Sequence, residues 1–187
     1  MNYYEKFSFK KLINNFLSST ILLSVIPISI NSSKALEFQW NQNDGYKRLN
    51  YYQKTAEKNF KNKIFFLIKP SDRKTGLISI KLKIPDNFKS TLKPKKITFC
   101  KAKMGGFTSR TKCLENITTD IVLNKETKRL EIYPISPIPS NKDTYAVVLK
   151  ITNPRRAGLY QFHSFGQSSG PVPVTNYIGS WTIKIDP

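Results

Sequence analysis

The chain has 187 residues, 39% of them hydrophobic and 12% aromatic, which excludes a disordered polymer because so many large apolar side chains can bury a core. Its 31 Lys and Arg against 12 Asp and Glu give a formal net charge of +19. Abundant Lys, Asn and Ile fit A+T-rich codon usage, but such drift exchanges Arg for Lys without removing carboxylates, so the acid deficit points to surroundings or partners.

The first 35 residues read as an address. Lys6, Lys10 and Lys11 precede an apolar run from Phe16 to Ile30, Pro27 breaks it, and Ser33-Lys34-Ala35 sets small residues where a signal peptidase reads. The run is too short and too Ser-rich for a membrane anchor, which needs about 20 consecutive apolar residues. No Cys follows Ala35 to carry a lipid. We expect residues 1–35 to be removed as a secretory signal, leaving residues 36–187 as a single β-rich domain in the periplasm or cell envelope. The mature chain then has no stable membrane span. A domain of about 150 residues holds a core without metal.

Leu36–Trp40 reads as a first strand. Tyr46, Leu49, Tyr52, Ala56 and Phe60 then recur at helical spacing among lysines, predicting a basic amphipathic helix that packs one stripe on its own domain or serves a membrane surface or partner. Ile64–Ile68 is a short continuous apolar run, fitting a strand buried on both faces. Ile78, Ile80, Leu82 and Ile84 alternate with Ser79, Lys81 and Lys83, and a second short helical turn is expected over Asp86–Leu92. Strands follow at Ile97–Lys101, Asp120–Leu123 and Arg129–Tyr133, the last two joined by the loose turn Asn124–Lys128. Pro134, Pro137 and Pro139 make Tyr133–Ser140 an extended crossover between sheets. Tyr145, Val147, Leu149 and Ile151 alternate again. Asn153–Gly158 is predicted to turn as a hairpin into Leu159–Phe165. Trp181, Ile183 and Ile185 close the series. About nine short strands at this turn spacing predict a mainly β fold, an antiparallel two-sheet sandwich of the Ig-like kind with one or two short helices and a barrel as second choice.

Catalytic signals are poor. Gly166-Gln167-Ser168-Ser169-Gly170 matches G-x-S-x-G, but Pro171 and Pro173 exclude the helix that motif needs, and the sole histidine, His163, precedes the serine. His163, set in an aromatic strand, reads as a packed residue rather than a base or ligand. The carboxylates are scattered, and neither a phosphate-cradling loop nor any other cofactor site is visible. No catalytic, cofactor or metal site is assigned, and the protein is not expected to be an enzyme. Asn116-Ile117-Thr118 is a glycosylation sequon only in a host that modifies such sites. Cys100 and Cys113, 13 positions apart, are expected to form a structural disulfide outside the cytosol. A redox pair usually wants Cys-x-x-Cys, and a zinc site wants more ligands than His163 can add.

One constellation is concentrated. From Lys89 to Lys112 there are eight cations and no carboxylate, and the run includes the cysteine loop with its Met104-Gly105-Gly106-Phe107 tip. Lys93, Lys95, Lys96, Lys101, Lys103, Arg110 and Lys112 form the candidate anion-binding set. Its partner would be an anionic polysaccharide, lipopolysaccharide phosphates or nucleic acid. The same run reads equally as a solvated surface, in which case the alternative is a structural or assembly component of the envelope. A hydrolase ranks third.

The C-terminal half also carries a pattern. Pro137-x-Pro139, Tyr145-Ala146-Val147-Val148-Leu149, Asn153-Pro154-Arg155, Gly158-x-Tyr160-x-Phe162 and Tyr177-Ile178-Gly179, with Ile80–Asn87 before them, resemble an exported cyanobacterial family known as a domain of unknown function. The resemblance spans roughly residues 62–186. It implies an exported β-rich domain and transfers no catalytic residue. Pro139-Ser140-Asn141-Lys142 departs from the family's usual Pro-Gly there, and the strong basic charge looks peculiar to this member.

Overall fold

A computed structural model describes residues 47–187, so the leader, the Leu36–Trp40 strand and Tyr46 lie outside the described residues. Ten strands form two antiparallel five-stranded sheets. The first sheet runs in the order β1 (Tyr51–Gln53), β2 (Lys61–Ile68), β8 (Thr144–Thr152), β4 (Ile97–Lys103), β5 (Lys112–Asn116). The second runs β10 (Thr175–Ile185), β9 (Gly158–Ser168), β3 (Leu77–Lys83), β7 (Arg129–Pro134), β6 (Thr119–Asn124). This is the expected Ig-like sandwich. Helix is confined, among the described residues, to the single 3-10 turns Pro70–Asp72 and Pro94–Lys96.

The alternating residues make the core. Ile64, Phe66 and Ile68 of β2 meet Ile80 and Leu82 of β3, Phe162 of β9 and Trp181 of β10 between the sheets. Trp181 stacks on Phe66 with centroids 4.7 Å apart, and its Nε1 donates to the Leu67 carbonyl of the opposite sheet at 3.1 Å. A buried indole needs that acceptor. The other side of β2 is covered too: Phe65 and Leu67 pack with Cys100, Ala102, Ala146 and Val148 in a separate outer cluster. The run Ile64–Ile68 is therefore apolar without interruption because both its faces are buried.

Three local expectations fail. The segment read as a basic helix is extended. Leu49 donates to Ser180 at 2.8 Å, β1 pairs with β2, and Asp186 donates to Ala56 at 2.7 Å, so residues 47–57 close one side of the sandwich. A lone helix of that length is marginal, whereas the open edges of β2 and β10 offer backbone partners at once. The helical turn after Pro85 is a single turn, closed by Phe88 N–H to the Pro85 carbonyl, because Phe88 and Leu92 are drawn into the core instead. Asn153–Gly158 is not a hairpin: β8 and β9 belong to different sheets, and the segment crosses between them. Asn153 is buried there, accepting from Asn62 Nδ2 at 2.9 Å and donating to the Thr55 and Glu57 carbonyls. The Tyr160 hydroxyl donates back to the Arg156 carbonyl at 2.7 Å and fixes the corner. The Tyr133–Ser140 crossover and the Asn124–Lys128 hairpin are as expected, with Lys128 at positive φ and Thr127 N–H on Asn124 Oδ1.

Candidate functional site

The segment from Ile84 to Ile97 links β3 to β4 across one end of the sandwich. Phe88 sets its ring edge-on to Tyr160 and Phe162, Leu92 enters the core, and Ser90 Oγ donates to the Thr152 carbonyl at 2.6 Å. The loop backbone is thus pinned at three points, which fixes where Lys89 and the following Lys93 and Lys96 leave the chain. Beside it, the ends of β2 and β8 are joined by the Asn62–Asn153 amide pair. Between loop and sheet lies a groove of about 530 Å³. Six cations line it: Lys61 from β2, Lys89, Lys93 and Lys96 from the loop, Lys150 from β8, and Arg155 from the crossover. Asn59, Thr91 and Thr152 add hydrogen-bonding side chains, while the Asn62 and Asn153 amides and the Ser90 hydroxyl are committed within the fold, and none of the described lining residues is a carboxylate.

Lys150 lies directly opposite Lys63 in the β2–β8 ladder. Like charges in that relation are unfavourable by a few tenths of a kcal/mol or more. The fold therefore holds cations together here against their mutual repulsion, which a bound anion would relieve.

The candidate set of seven does not stay together. Lys93 and Lys96 line the groove, and Lys95 sits exposed on the same 3-10 turn. Lys103, Arg110 and Lys112 lie at the opposite end of β4, about 20 Å away for a strand of that length. Lys101 is ion-paired with Asp143 at 2.8 Å, and this hydrogen bond raises its pKa above the ordinary lysine value. Four groove cations lie outside the set: Lys89, which opens the same basic run, and Lys61, Lys150 and Arg155, which come from distant strands and turns. The one sequence cue was the outward lysine of each strand, Lys61 and Lys150, which only the register brings together.

The cysteines are bridged, with Cα atoms 5.7 Å apart, tying β5 to β4. In this bridged state neither sulfur is a thiolate that could ligate a metal. Ser168 ends β9 in a strand–loop–strand hairpin, exchanging hydrogen bonds with Val174, so the turn of a hydrolase nucleophile is not formed. His163 Nδ1 lies 2.7 Å from Ser180 Oγ, which Tyr177 also reaches, and burial holds the imidazole pKa below its usual value. Among the described residues no cluster of three His, Cys, Asp or Glu could hold a metal ion, and no helix is long and apolar enough to cross a membrane.

The model of a family described as "Protein of unknown function (DUF2808)" matches residues 38–185. The chain belongs to that family. No curated protein matches it. Among solved structures, this DUF2808 domain is similar to the collagen-binding domain from a Staphylococcus aureus adhesin, at 14% identity over 73% of this chain and 97% of that one, with a TM-score of 0.41. It is similar also to BslA, a bacterial hydrophobin, at 14% identity over 75% and 95%, with a TM-score of 0.46. The collagen-binding subdomain ACE19 of an Enterococcus faecalis surface protein gives 10% identity over 72% and 95%, with a TM-score of 0.40. No residue or ligand of theirs transfers to this chain.

Proposed function

We propose that this DUF2808 protein is a non-catalytic module of the periplasm or cell envelope that binds an anionic polymer in the groove between the β3–β4 loop and the β2–β8 edge. The observation that carries the reading is six cations around one concave surface without a carboxylate. Because the loop is pinned by Phe88, Leu92 and Ser90, little ordering entropy is lost when an anion docks. The polar amides and hydroxyls beside the cations suit a hydroxylated, acidic polysaccharide. Export follows from the leader, and the mature chain is expected to begin at Leu36; an intact mass starting at Met1 would contradict that.

Binding of the exported protein to dextran sulfate, with neutral dextran as control, tests the site. Affinity should fall steeply between 50 and 200 mM salt, as screening requires. Replacing Lys61, Lys93, Lys96 and Lys150 by Gln should remove most of it, while the same change at Lys103, Arg110 and Lys112 leaves it largely intact. The reverse pattern moves the site to the other end of β4. No binding at low salt reduces the charge to a solvated surface.

A further inference from the structure

At the end of the sandwich away from the groove, four connections meet: β2–β3, β4–β5, β7–β8 and β9–β10. Arg73 of the β2–β3 connection binds carbonyls of Pro139, Asn141 and Asp143 on the β7–β8 connection, Ser169 N–H of the β9–β10 connection donates to the Gly76 carbonyl at 3.0 Å, and Lys101 of β4 pairs with Asp143. Apolar side chains project here without cover. Phe107, at the tip of the β4–β5 loop, is wholly exposed, and Ile135 and Val172 are 72% and 74% exposed on the neighbouring connections. The Phe107 loop is held at its base by the disulfide, by Gly105 N–H on Thr111 Oγ1 at 3.0 Å and by Gly106 N–H on the Ser109 carbonyl at 3.0 Å.

Charge at the Phe107 tip has one sign, since residues 103–112 hold three cations and no carboxylate. Nearby, Asp72 and Asp143 are paired with Lys47 and Lys101, while Glu115 and Asp120 stand further back on β5 and β6. Lys103, Arg110 and Lys112 flank the Phe107 tip, all exposed. A braced loop with an aromatic apex and a collar of cations matches what a lipid interface selects, an apolar wedge entering the acyl boundary while cations meet the headgroups. An acidic polysaccharide would use the cations and leave the phenyl ring exposed, whereas a lipid interface uses both.

We propose that this end of the sandwich docks on an anionic lipid bilayer, with Phe107 inserted and Lys103, Arg110 and Lys112 on the headgroups. The site is independent of the groove, so the protein would link a membrane surface at one end to a polymer at the other. The test is co-sedimentation of the exported protein with vesicles of phosphatidylcholine containing 30% phosphatidylglycerol, beside pure phosphatidylcholine. Phe107→Ser should lower the partition coefficient about tenfold or more, the scale of losing one buried aromatic side chain. The Lys103, Arg110 and Lys112→Gln triple variant should abolish the preference for phosphatidylglycerol. Lys61→Gln with Lys150→Gln should change neither, which separates this proposal from the groove reading. Phe107→Trp should gain fluorescence quenching by brominated acyl chains beyond any shown by Trp40 and Trp181 of the unaltered protein. Equal partitioning of Phe107→Ser, no vesicle binding by the unaltered protein, or no added quenching in Phe107→Trp each overturns the proposal. So does loss of dextran sulfate binding in Phe107→Ser, which would make the tip part of a polymer site.

Discussion

Arg73 is the residue whose removal should cost the fold most outside the aromatic core. It is 7% exposed, and Nη2 donates to the Asn141 and Asp143 carbonyls at 3.1 and 2.8 Å and to Asn141 Oδ1 at 2.9 Å. Nε and Nη1 reach Pro139 and Ile68 at the longer distances of 3.4 and 3.5 Å. Its guanidinium lies 4.8 Å from the centre of the Tyr145 ring. Burial lowers its pKa, while Tyr145, Asp143 and Asp72 oppose the shift. Nη2 has two hydrogens, so its three acceptors share two charge-assisted bonds, each worth about 1.5–3 kcal/mol, and the desolvation recovered on deleting the cation offsets part of their sum. We expect Arg73→Ala to lose about 3–4 kcal/mol, the usual scale for breaking a buried charged network. For a domain of this size that lowers Tm by about 10 °C. Arg73→Lys should recover little, since one ammonium cannot span acceptors set around a planar fork. Arg155→Ala, exposed and at the other end, should stay within about 1 °C. Thermal unfolding followed by circular dichroism decides it. A drop below 3 °C in Arg73→Ala, or full recovery in Arg73→Lys, refutes the network as an organiser. Hydrogen exchange at Leu77 and Ile138, which bond each other at 2.9 and 2.8 Å beside it, should quicken in the same variant.

Reduction of Cys100–Cys113, or their joint replacement by Ala, should lower stability by about 3 kcal/mol and release β5 first, because that strand is nearly all exposed and pairs only with β4. Unchanged Tm in reductant would show that the bridge adds nothing. The His163 pKa is lowered on folding, so below about pH 6.5 the unfolded chain takes up more protons and stability falls through the window between the unfolded and folded values. Above that window the contribution is fully present. His163→Gln should flatten the slope of Tm between pH 7 and 5, and an identical slope would dismiss the imidazole as its cause. Asp86, whose pKa is lowered by its bond to Lys128, acts only in a more acidic window near and below the carboxylate range, so the two effects are separable.

Period two carried most of the fold into view. Ile80 and Leu82, Val147 and Leu149, and Ile183 and Ile185 each place alternate side chains into one core, and a strand half buried in a sandwich has no other way to be written. What stayed illegible was what local chemistry does not encode. Tyr46, Leu49, Tyr52, Ala56 and Phe60 match a helical period by chance, and Phe60 proves solvent-exposed while Leu49 enters the core from an extended chain. Nothing within Lys112–Asn116 alternates, because β5 rests on the disulfide and its ladder rather than on a buried face. Asn153–Gly158 has turn chemistry whether the chain returns to its own sheet or crosses to the other. The choice is made by Asn62, 91 positions away, and by the Tyr160 hydroxyl.

The same division separates the recognisable pattern from the candidate sites. Asn153 bonds the 54–60 segment, and Tyr160 and Phe162 fill the core. Gly158 and Gly179 hold φ of +145° and +153°, where a side chain would be strained. At Gly179 an added Cβ would also stand 2.6 Å from Leu49 Cγ, in the strip that closes the sandwich edge. These residues are legible because backbone geometry leaves them little choice. A lysine at position 61, 93, 96 or 150 answers to no such constraint: each is exposed and bears no core load. Their convergence on one groove, where Lys150 also stands opposite Lys63 at a cost to the ladder, is therefore unexplained by folding, and it is the observation on which the proposed anion site rests.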